Sequence, residues 1–555
     1  MSIGLSLALA AAITLDIETS PIKDQRESTC RPDLGYAGCL TEVSLYNDAF
    51  SPWAYGAGIK ETEKALRECG ARLIRQWDAV KMWQLGMSGA GNCANPRAYW
   101  ALWKKMGIRI LLTLENYGVW PDKKCKKKRT GDIDSVRRVI CEYVKWIRDN
   151  GFQDVVAGLE LGNEPYFGND PEVYAERWCA IIPEIKKIWP EVKIGMPIAE
   201  YRAGDPDLDA VRRRLGEKKM MAGGGEFEIN RFNQWSGRFV VAMSNQLDNI
   251  SHVIYHFYGG EAPYGCSASG FLRIKQFERI YPQIAGKRVW ITEWRERSDE
   301  DTRCHQMFAS TLFKGHYMLS VLAQPNIDGV NLHCLGAFAG ALNISMDCSF
   351  AGQSWRSGFY FQSDPLQGHS FYQDVDVAPG VRRYVMGPAA PLFKIYTDAL
   401  MGHPVILDHG TLGGQGPKSS CWSSALFYGS THEQRSVLND GGNWKDVPPV
   451  KGNLEWIAAL SPDKCSLAIL MCNTLVENLE LPLKLLNSEF AGGAVCRSVS
   501  CPPELIYHYN IPGERPLWSV SEHEITSGFD GSVGVLRITP DTVQSVIIPI
   551  RKASR

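Results

Sequence analysis

The strongest constraint on the fold is an eightfold alternation of short apolar segments with segments of helical spacing, from about residue 42 to 402. The strand candidates are Trp53–Ile59, Ala71–Trp77, Ile108–Leu114, Val155–Asn163, Val192–Pro197, His252–Tyr258, Arg288–Trp294 and Gly329–Leu335. Helical spacing recurs between them, as in 96–106, 133–150, 171–188, 271–284 and 302–322. Eight strand–helix units predict a (β/α)8 TIM barrel, with a doubly wound open sheet as the alternative.

The character of the chain changes near residue 403, where Gly, Ser and Asn become frequent and short alternating strands replace helices. Leu454–Leu460, Ser466–Asn473 and Val543–Ile550 are examples, and such strands predict an antiparallel β-sandwich. A chain of 555 residues is too long for one hydrophobic core. We therefore predict an N-terminal segment 1–40 that could join the sandwich, a barrel 41–402 and a sandwich 403–555.

Bulk properties exclude some functions and leave localisation open. The formal net charge of −1 argues against a nucleic-acid partner, and no apolar run reaches the length of a membrane span. The apolar N-terminal stretch contains Ala8-Leu9-Ala10, which has the spacing of a signal-peptidase site, but it lacks a basic start. A leader and a mature N-terminal strand or tail both remain open. The even count of 16 cysteines fits export and buried thiols equally, and we expect a secreted or periplasmic protein.

Two glutamates stand where barrel enzymes place their catalytic groups. Glu164 follows the fourth strand candidate in the run Gly-Asn-Glu-Pro, and Glu293 ends the seventh in the run Ile-Thr-Glu-Trp. The ends of barrel strands hold side chains rigidly at the face where active sites lie. Glycoside hydrolysis needs such a pair, one group as proton donor and the other as base or nucleophile. Two long insertions, 200–239 and 342–386, follow strands and should border the same face.

These motifs resemble those of the clan A retaining glycoside hydrolases. Asn163-Glu164-Pro165 is similar to the acid/base signature that ends strand four in that clan, and Glu293 matches the nucleophile that ends strand seven. His256-Phe257-Tyr258 matches the His-x-Tyr pattern of strand six. The barrel followed by a sandwich resembles the arabinofuranosidase, β-xylosidase and β-glucuronidase/heparanase families. The second strand departs from the glycine-containing motif of the arabinofuranosidases, which disfavours that activity.

The resemblance implies a role for each neighbour of the pair. Asn163 would bind the sugar 2-hydroxyl, and Tyr258 would donate a hydrogen bond to Glu293. Arg75 matches the strand-two arginine that orients the nucleophile, although an ion pair with Glu160 inside the barrel is the alternative. His256 should point into the barrel mouth beside Tyr258, and a buried core histidine is the alternative.

The surroundings of the pair indicate a carbohydrate ligand. Four side chains at or beyond strand ends are expected to contact sugar, namely Trp77, Tyr117, Trp294 and His333. The basic tract 123–129 and Arg295, Arg297 and Arg303 concentrate positive charge on the same face, which predicts an anionic glycan, with a solvated lysine tract as the alternative.

We expect no cofactor, because the sequence contains no cluster with metal-ligand spacing and retaining glycosidases need none. A non-catalytic carbohydrate-binding protein on the same scaffold is the rival hypothesis, and a metal-dependent hydrolase is a third.

Overall fold

Eight parallel strands close into a barrel, in chain order, in the computed structural model of the protein. They are β2 (Asp33–Ala37), β3 (Leu73–Gln76), β4 (Arg109–Thr113), β5 (Val156–Glu160), β6 (Ile194–Pro197), β7 (His252–Gly259), β8 (Arg288–Glu296) and β9 (Ile327–His333). β9 pairs in parallel with β2 and closes the ring. The predicted TIM barrel is confirmed.

The structure describes residues 15–18, 33–37, 66–76, 79–88, 96–114, 133–167, 169–199, 235–259, 278, 281–296, 308–322, 324, 326–333, 345–347, 383–385, 389–413, 453–474, 478–506 and 515–553. No helix within these ranges has the length and apolar character needed to cross a bilayer. The seven cysteines within them form no disulfide, so Cys496 and Cys501, although close in sequence, are not paired.

Helices with buried apolar residues cover the outside of the barrel. They are α1 (Ala79–Ser88), α2 (Pro96–Met106), α3 (Ile133–Asp149), α4 (Pro171–Ile188), α5 (Phe308–Leu322) and, after β9, α6 (Ala389–Gly402). In α3 the buried residues Val136, Ile140, Tyr143 and Ile147 recur every three or four positions. This spacing aligns them along one side of the helix, which packs against the strands.

The lower part of the barrel lumen is filled by an apolar layer made of Leu73, Leu111, Ala157, Ile254 and Trp290. The indole of Trp290 fits there only because β5 carries a glycine opposite it. A Cβ on Gly158 would lie 2.0 Å from Cη2 of Trp290. We call this set of five side chains the plug, and it separates the two ends of the lumen.

The first barrel strand differs from the prediction. The segment predicted for it, 53–59, lies outside the described residues, and the ring is closed by Asp33–Ala37. The barrel therefore begins before residue 41, where we had placed its boundary. The sequence Asp-Leu-Gly-Tyr-Ala has no clear apolar alternation, and this segment is a strand because it pairs with β3 and β9 on both sides.

Two mainly antiparallel sheets form the C-terminal sandwich. One contains β1 (Leu15–Glu18), β15 (Leu479–Leu486), β20 (Val533–Ile538) and β19 (Phe529–Asp530), in that order. The other contains β12 (Val405–Gly413), β13 (Asn453–Leu460), β14 (Ser466–Asn473), β21 (Thr542–Lys552), β17 (Ala494–Ser500) and β18 (Ser519–Ile525), with β16 (Ser488–Phe490) paired to β21. Leu15–Glu18 runs parallel to Leu483–Leu486, so the N-terminal segment contributes a strand here. A separate two-stranded sheet is formed by β10 (Ser345–Asp347) and β11 (Arg383–Val385).

The sandwich packs directly on helices of the barrel. Gly315 of α5 lies so close to β14 that a Cβ would be 2.9 Å from Sγ of Cys472. Beside it, Nδ1 of His316 is 2.9 Å from Oε2 of Glu455, and Tyr396 of α6 donates a hydrogen bond to the carbonyl of Met471. Apolar residues of α5, α6 and the sandwich belong to one buried cluster, so the two domains share a core.

Candidate active site

A polar layer lies above the plug, two residues further along the same strands. Leu73, Leu111, Gly158, Ile254 and Trp290 are each followed at the second position by a polar residue, in turn Arg75, Thr113, Glu160, His256 and Thr292. All five polar side chains are buried. Because side chains alternate across a strand, positions two apart face the same lumen. The layer thus lies at the carboxyl end of the barrel, where active sites of this fold occur.

A β-bulge aims Glu293 into this layer. Tyr255 pairs with Ile291 but His256 pairs with Glu293, so Thr292 is an extra residue on β8. Strict alternation from Trp290 would point Glu293 outward. The extra residue lets Thr292 and Glu293 both face the lumen, as their contacts with β7 and β3 show.

Glu164 reaches the same layer from a turn beyond β5. Gly162 has a φ of 90° and Glu164 itself has a φ of 45°, a left-handed conformation that is strained for a residue with a side chain. Tyr174 of α4 donates a hydrogen bond to the carbonyl of Leu161 and anchors the start of the turn. The hydroxyl of Tyr166 donates to Oε1 of Glu164 at 3.2 Å. The turn is therefore held from two sides, and the Glu164 side chain keeps 27% of its surface exposed.

Arg75 connects the two ends of the site. Its Nη1 donates to Oε1 of Glu293 at 2.6 Å, and its Nη2 donates to Oδ1 of Asn163 at 2.8 Å. The other edge of the guanidinium meets Glu160, with Nε 2.8 Å and Nη2 2.7 Å from Oε2. Thr113 donates to the same Glu160 oxygen at 3.0 Å. The two contacts that the sequence presented as alternatives, to Glu160 and to Glu293, are both formed.

The charge around Arg75 explains its protonation. Burial by itself would lower the pKa of Arg75, but the carboxylates of Glu160 and Glu293 outweigh it and raise the pKa above its ordinary value. The guanidinium is therefore a fixed cation within a buried set of acceptors.

His256 lies between the two glutamates. Its Nδ1 is 3.0 Å from Oε1 of Glu164 and 3.5 Å from Oε2 of Glu293, while its Nε2 is 3.0 Å from Oγ1 of Thr292. Burial would lower the pKa of His256, and Arg75 acts in the same direction. The charge of Glu293 and the hydrogen bond with Glu164 outweigh both and raise the pKa. When protonated, the ring can donate to Glu164 and to Thr292 at once.

The two carboxyl groups are close together. One ligand atom from each of Glu164, His256 and Glu293 lies within 4.8 Å of the other two. Retaining glycosidases need their carboxyl groups roughly 5 Å apart, whereas inverting enzymes need a gap of roughly 6.5–9.5 Å for a water. The spacing fits direct attack by one carboxylate on a bound sugar.

The same three groups are also close enough to bind a metal ion. However, the Arg75 guanidinium already donates to Glu293, and both ring nitrogens of His256 have hydrogen-bond partners. A fixed cation at 2.6 Å from one ligand opposes a second cation. This donor set suits proton transfer better than metal binding.

Trp294 was predicted to contact the sugar, and this prediction is wrong. The side chain is 1% exposed and stacks on Tyr317 of α5, with ring centroids 4.1 Å apart. The bulge that turns Glu293 inward turns Trp294 outward, because neighbouring residues on a strand face opposite sides.

The other predicted residues are only partly described. Trp77, Tyr117, Arg297, Arg303 and the tract 123–129 lie outside the described residues. The backbones of Tyr258, Arg295 and His333 lie in β7, β8 and β9, and their side chains lie outside the description. Their predicted contacts stay predictions.

Three contributors were not given these roles from the sequence. Thr113, Thr292 and Tyr166 each hydrogen-bond a charged member of the site. Thr113 could have been found by alternation, since it lies two residues beyond Leu111 on β4. Thr292 could have been found in the same way, since it lies two residues beyond Trp290 on β8; only the inward direction of Glu293 depends on the bulge.

Solved structures that share this architecture include several glycosidases. The α-L-arabinofuranosidase from Thermotoga maritima, solved with arabinose, has 12% identity and a TM-score of 0.57, covering 97% of this chain and 100% of its own. The GH51 α-L-arabinofuranosidase from Thermotoga petrophila RKU-1 has 12% identity and a TM-score of 0.58, covering 97% of this chain and 100% of its own. A glucosidase from Croceicoccus marinus has 13% identity and a TM-score of 0.52, covering 98% of this chain and 99% of its own. At such identities the likeness shows the fold, a barrel with a β-sandwich, and it confirms the predicted structural resemblance.

Sequence comparison adds nothing to this likeness. No protein-family model matches the chain, and no curated protein matches it.

Proposed function

We propose that the protein is a retaining glycoside hydrolase in which Glu293 is the nucleophile and Glu164 the acid/base. The observation that carries the proposal is the close pair of carboxyl groups, with ligand atoms within 4.8 Å; one of them, Glu293, is buried and bound to a fixed arginine. Glu293 is 3% exposed and bound to Arg75, which suits a group that must react as an anion. Glu164 is more exposed, which suits a group that exchanges protons with a leaving group and then with water.

The reaction runs in two steps. A carboxylate oxygen of Glu293 bonds to the anomeric carbon while the bond to the leaving oxygen breaks. The leaving oxygen keeps the electron pair and takes the proton of Glu164. In the second step Glu164 removes a proton from water, the water oxygen bonds to the anomeric carbon, and the bond to Glu293 breaks. Two inversions at one carbon return the original configuration.

Neighbouring residues support each step. Asn163 is held by Arg75 next to Glu164, where its amide could bind the sugar 2-hydroxyl. His256 donates to Glu164 when protonated, and so can hold the carboxyl group in position for the second step.

An anionic glycan is the proposed substrate class. The support is compositional: the tract Lys-Lys-Cys-Lys-Lys-Lys-Arg at 123–129 follows strand β4 in a chain of net charge −1, and Arg295, Arg297 and Arg303 occur in β8 or after it. Loops after barrel strands border the active face. Uronic or sulfated sugars would be attracted there.

The catalytic assignment is tested with Glu293→Gly and activated aryl glycosides of several sugars. Turnover should be lost, and azide should restore part of it with a glycosyl azide of inverted configuration as product, identified by NMR. The matched control is Glu480→Gly, because Glu480 is an exposed residue of the sandwich paired only with exposed Arg537. Unchanged turnover in Glu293→Gly would sink the assignment.

The substrate class is tested with polysaccharides. Activity on uronic or sulfated chains should exceed activity on neutral chains and fall with salt. The triple replacement Lys126→Glu, Lys127→Glu, Lys128→Glu should weaken the salt dependence, whereas Lys484→Glu on the sandwich should not. Equal, salt-insensitive activity on neutral chains would refute an anionic substrate.

A further inference from the structure

Glu160 is the one carboxylate of the polar layer that the proposed reaction does not use. It is 0% exposed and lies at the end of β5, four residues before Glu164. Both its oxygens are within 2.9 Å of Nε of Arg75, and Thr113 donates to one of them. Its hydrogen bonds thus all lead to Arg75 or to the barrel wall, and it acts on the site only through the arginine.

The charge next to Arg75 changes during the proposed reaction, because the negative charge of the site passes from Glu293 to Glu164 when Glu164 gives its proton to the leaving oxygen. Before attack, the fully buried guanidinium of Arg75 faces the carboxylates of Glu160 and Glu293. When Glu293 forms a covalent bond to the sugar, its carboxylate becomes a neutral ester. The ester carbonyl can still accept the hydrogen bond from Nη1, but it no longer balances the charge.

Arg75 cannot adjust to this change. An arginine side chain does not lose its proton in a protein, whereas an imidazole such as His256 can. A buried cation without an anion is strongly unfavourable. The new carboxylate, Glu164, lies against His256, whereas Glu160 stays in contact with Arg75 at 2.7 Å for as long as the sugar is attached.

We propose that Glu160 is a positioning residue that serves as the standing counter-ion of Arg75, and thereby stabilises the covalent glycosyl-enzyme relative to the resting enzyme. The inference rests on the proposed function and deepens it. Its consequence is asymmetric. Without Glu160, forming the ester neutralises the second of the two carboxylates that contact Arg75 among the described residues, so the first step slows. Releasing the sugar restores that anion, so the second step is unchanged or faster.

The kinetic test uses Glu160→Gln, which keeps the shape and removes the charge. The substrate is the 2,4-dinitrophenyl glycoside that the wild-type enzyme cleaves fastest, and the trapping reagent is its 2-deoxy-2-fluoro analogue. The rate constant of the first step should fall by about tenfold or more. Reactivation of the trapped enzyme should be as fast as in the wild type, or faster. Loss of both rate constants by the same factor is what a structural role would give, and would overturn the proposal.

Thr113→Val is the matched control, because it removes a hydrogen bond from Glu160 and leaves the charge. Thr113→Val should either leave the rate constants of both steps unchanged or lower both by the same factor. The opposite responses of the two steps should appear only in Glu160→Gln. If Thr113→Val gives the same pattern, geometry and not charge is the cause, and the counter-ion role is wrong.

A second test needs no substrate and separates this inference from the proposed function. Glu293→Gln imitates the neutral ester, and in Glu160→Gln/Glu293→Gln both carboxylates beside Arg75 are neutral. The loss of Tm in the double variant should exceed the sum of the two single losses, because only there both anions are missing. A double variant that does not fold while both single variants do is the same result in stronger form.

Additive losses of Tm, or failure of Glu160→Gln alone to fold, would overturn the inference, since Glu293 should suffice as counter-ion in the resting enzyme. If the wild-type enzyme cleaves no glycoside, the proposed function fails. The Tm cycle still decides whether Glu160 is the counter-ion of Arg75.

Discussion

Two histidines on β7, four residues apart, lie on opposite sides of the plug and have opposite pKa shifts. His252, at the start of the strand, is stacked on Trp290, and its Nε2 is 2.8 Å from Oδ2 of Asp328. Burial lowers its pKa and, with the smaller effects of Lys193 and Arg288, outweighs the hydrogen bond and the charge of Asp328, which raise the pKa. His256, at the carboxyl end, is equally buried, and its pKa is raised.

The difference comes from the balance of charge around each ring. Asp328 is already paired with Arg288 and lies 3.8 Å from Lys193, so cations match or exceed anions at the lower end. At the upper end Arg75 pairs with Glu160 and Glu293, and His256 lies against both Glu164 and Glu293. This excess of carboxyl groups over arginine raises the pKa of His256. A balanced network does not, and its role is to hold the closed end of the barrel together.

The largest expected effect is on catalysis at the carboxyl end of the lumen, where Glu164, His256 and Glu293 form the upper network. Glu164→Gln should lower kcat on a natural glycoside by about 10³-fold, because the leaving oxygen has no proton donor. Cleavage of the first bond of a 2,4-dinitrophenyl glycoside, whose leaving group needs no proton, should be affected far less. Stopped-flow release of dinitrophenol measures this step. Equal losses on the two substrates would contradict the role of Glu164.

The lower network consists of His252, Arg288 and Asp328, and substitutions in it should change stability but not activity. Asp328→Asn removes the carboxylate that His252 and Arg288 share, and should lower the free energy of unfolding by about 2–4 kcal/mol in urea titration. Activity per folded molecule should stay at the wild-type value, since the plug lies between Asp328 and the polar layer. A loss of kcat in the folded variant would show that the two ends of the lumen are coupled.

The barrel and most of its polar layer could be predicted because period-two alternation along parallel strands is a strong signal. It placed Arg75, Glu160 and His256 in the lumen, and the strand count placed Glu164 and Glu293 at one face. Even the ambiguity about Arg75 was informative, since both of the expected partners are in contact with it.

Two features could not be predicted because neither is local. The bulge at Thr292 exchanges the directions of Glu293 and Trp294, and one inserted residue leaves no mark on the apolar pattern. The first barrel strand lacks alternation and exists through its pairing with β3 and β9. In both cases the neighbours determine the conformation of the segment.

The plug that separates the two networks can be disturbed at its tightest point. Gly158→Ala places a methyl group 2.0 Å from Trp290, and should cost about 1–3 kcal/mol of folding free energy by forcing the indole to move. Gly492→Ala is the matched control, since nothing lies within 4 Å of the added Cβ. The midpoint of urea unfolding measures both. Equal midpoints would mean that the lumen is less tightly packed than the structure indicates.

The smallest effect, and the most direct test of the comparison, is the titration of the two histidines. NMR of enzyme labelled with ¹³C at histidine Cε1, with signals assigned by His252→Gln and His256→Gln, should show a pKa above 6.5 for His256 and below 6.5 for His252.

The two pKa shifts affect the pH dependence of stability in opposite directions. His256 contributes stability that is complete below its unfolded pKa and is lost as pH rises through its raised folded pKa. His252 is neutral in the fold, so its contribution is lost as pH falls from 6.5 towards its lowered folded pKa. His256→Gln should therefore flatten the alkaline side of the stability profile and His252→Gln the acid side, and titration of both histidines at one pH would show that the two networks do not differ in charge balance.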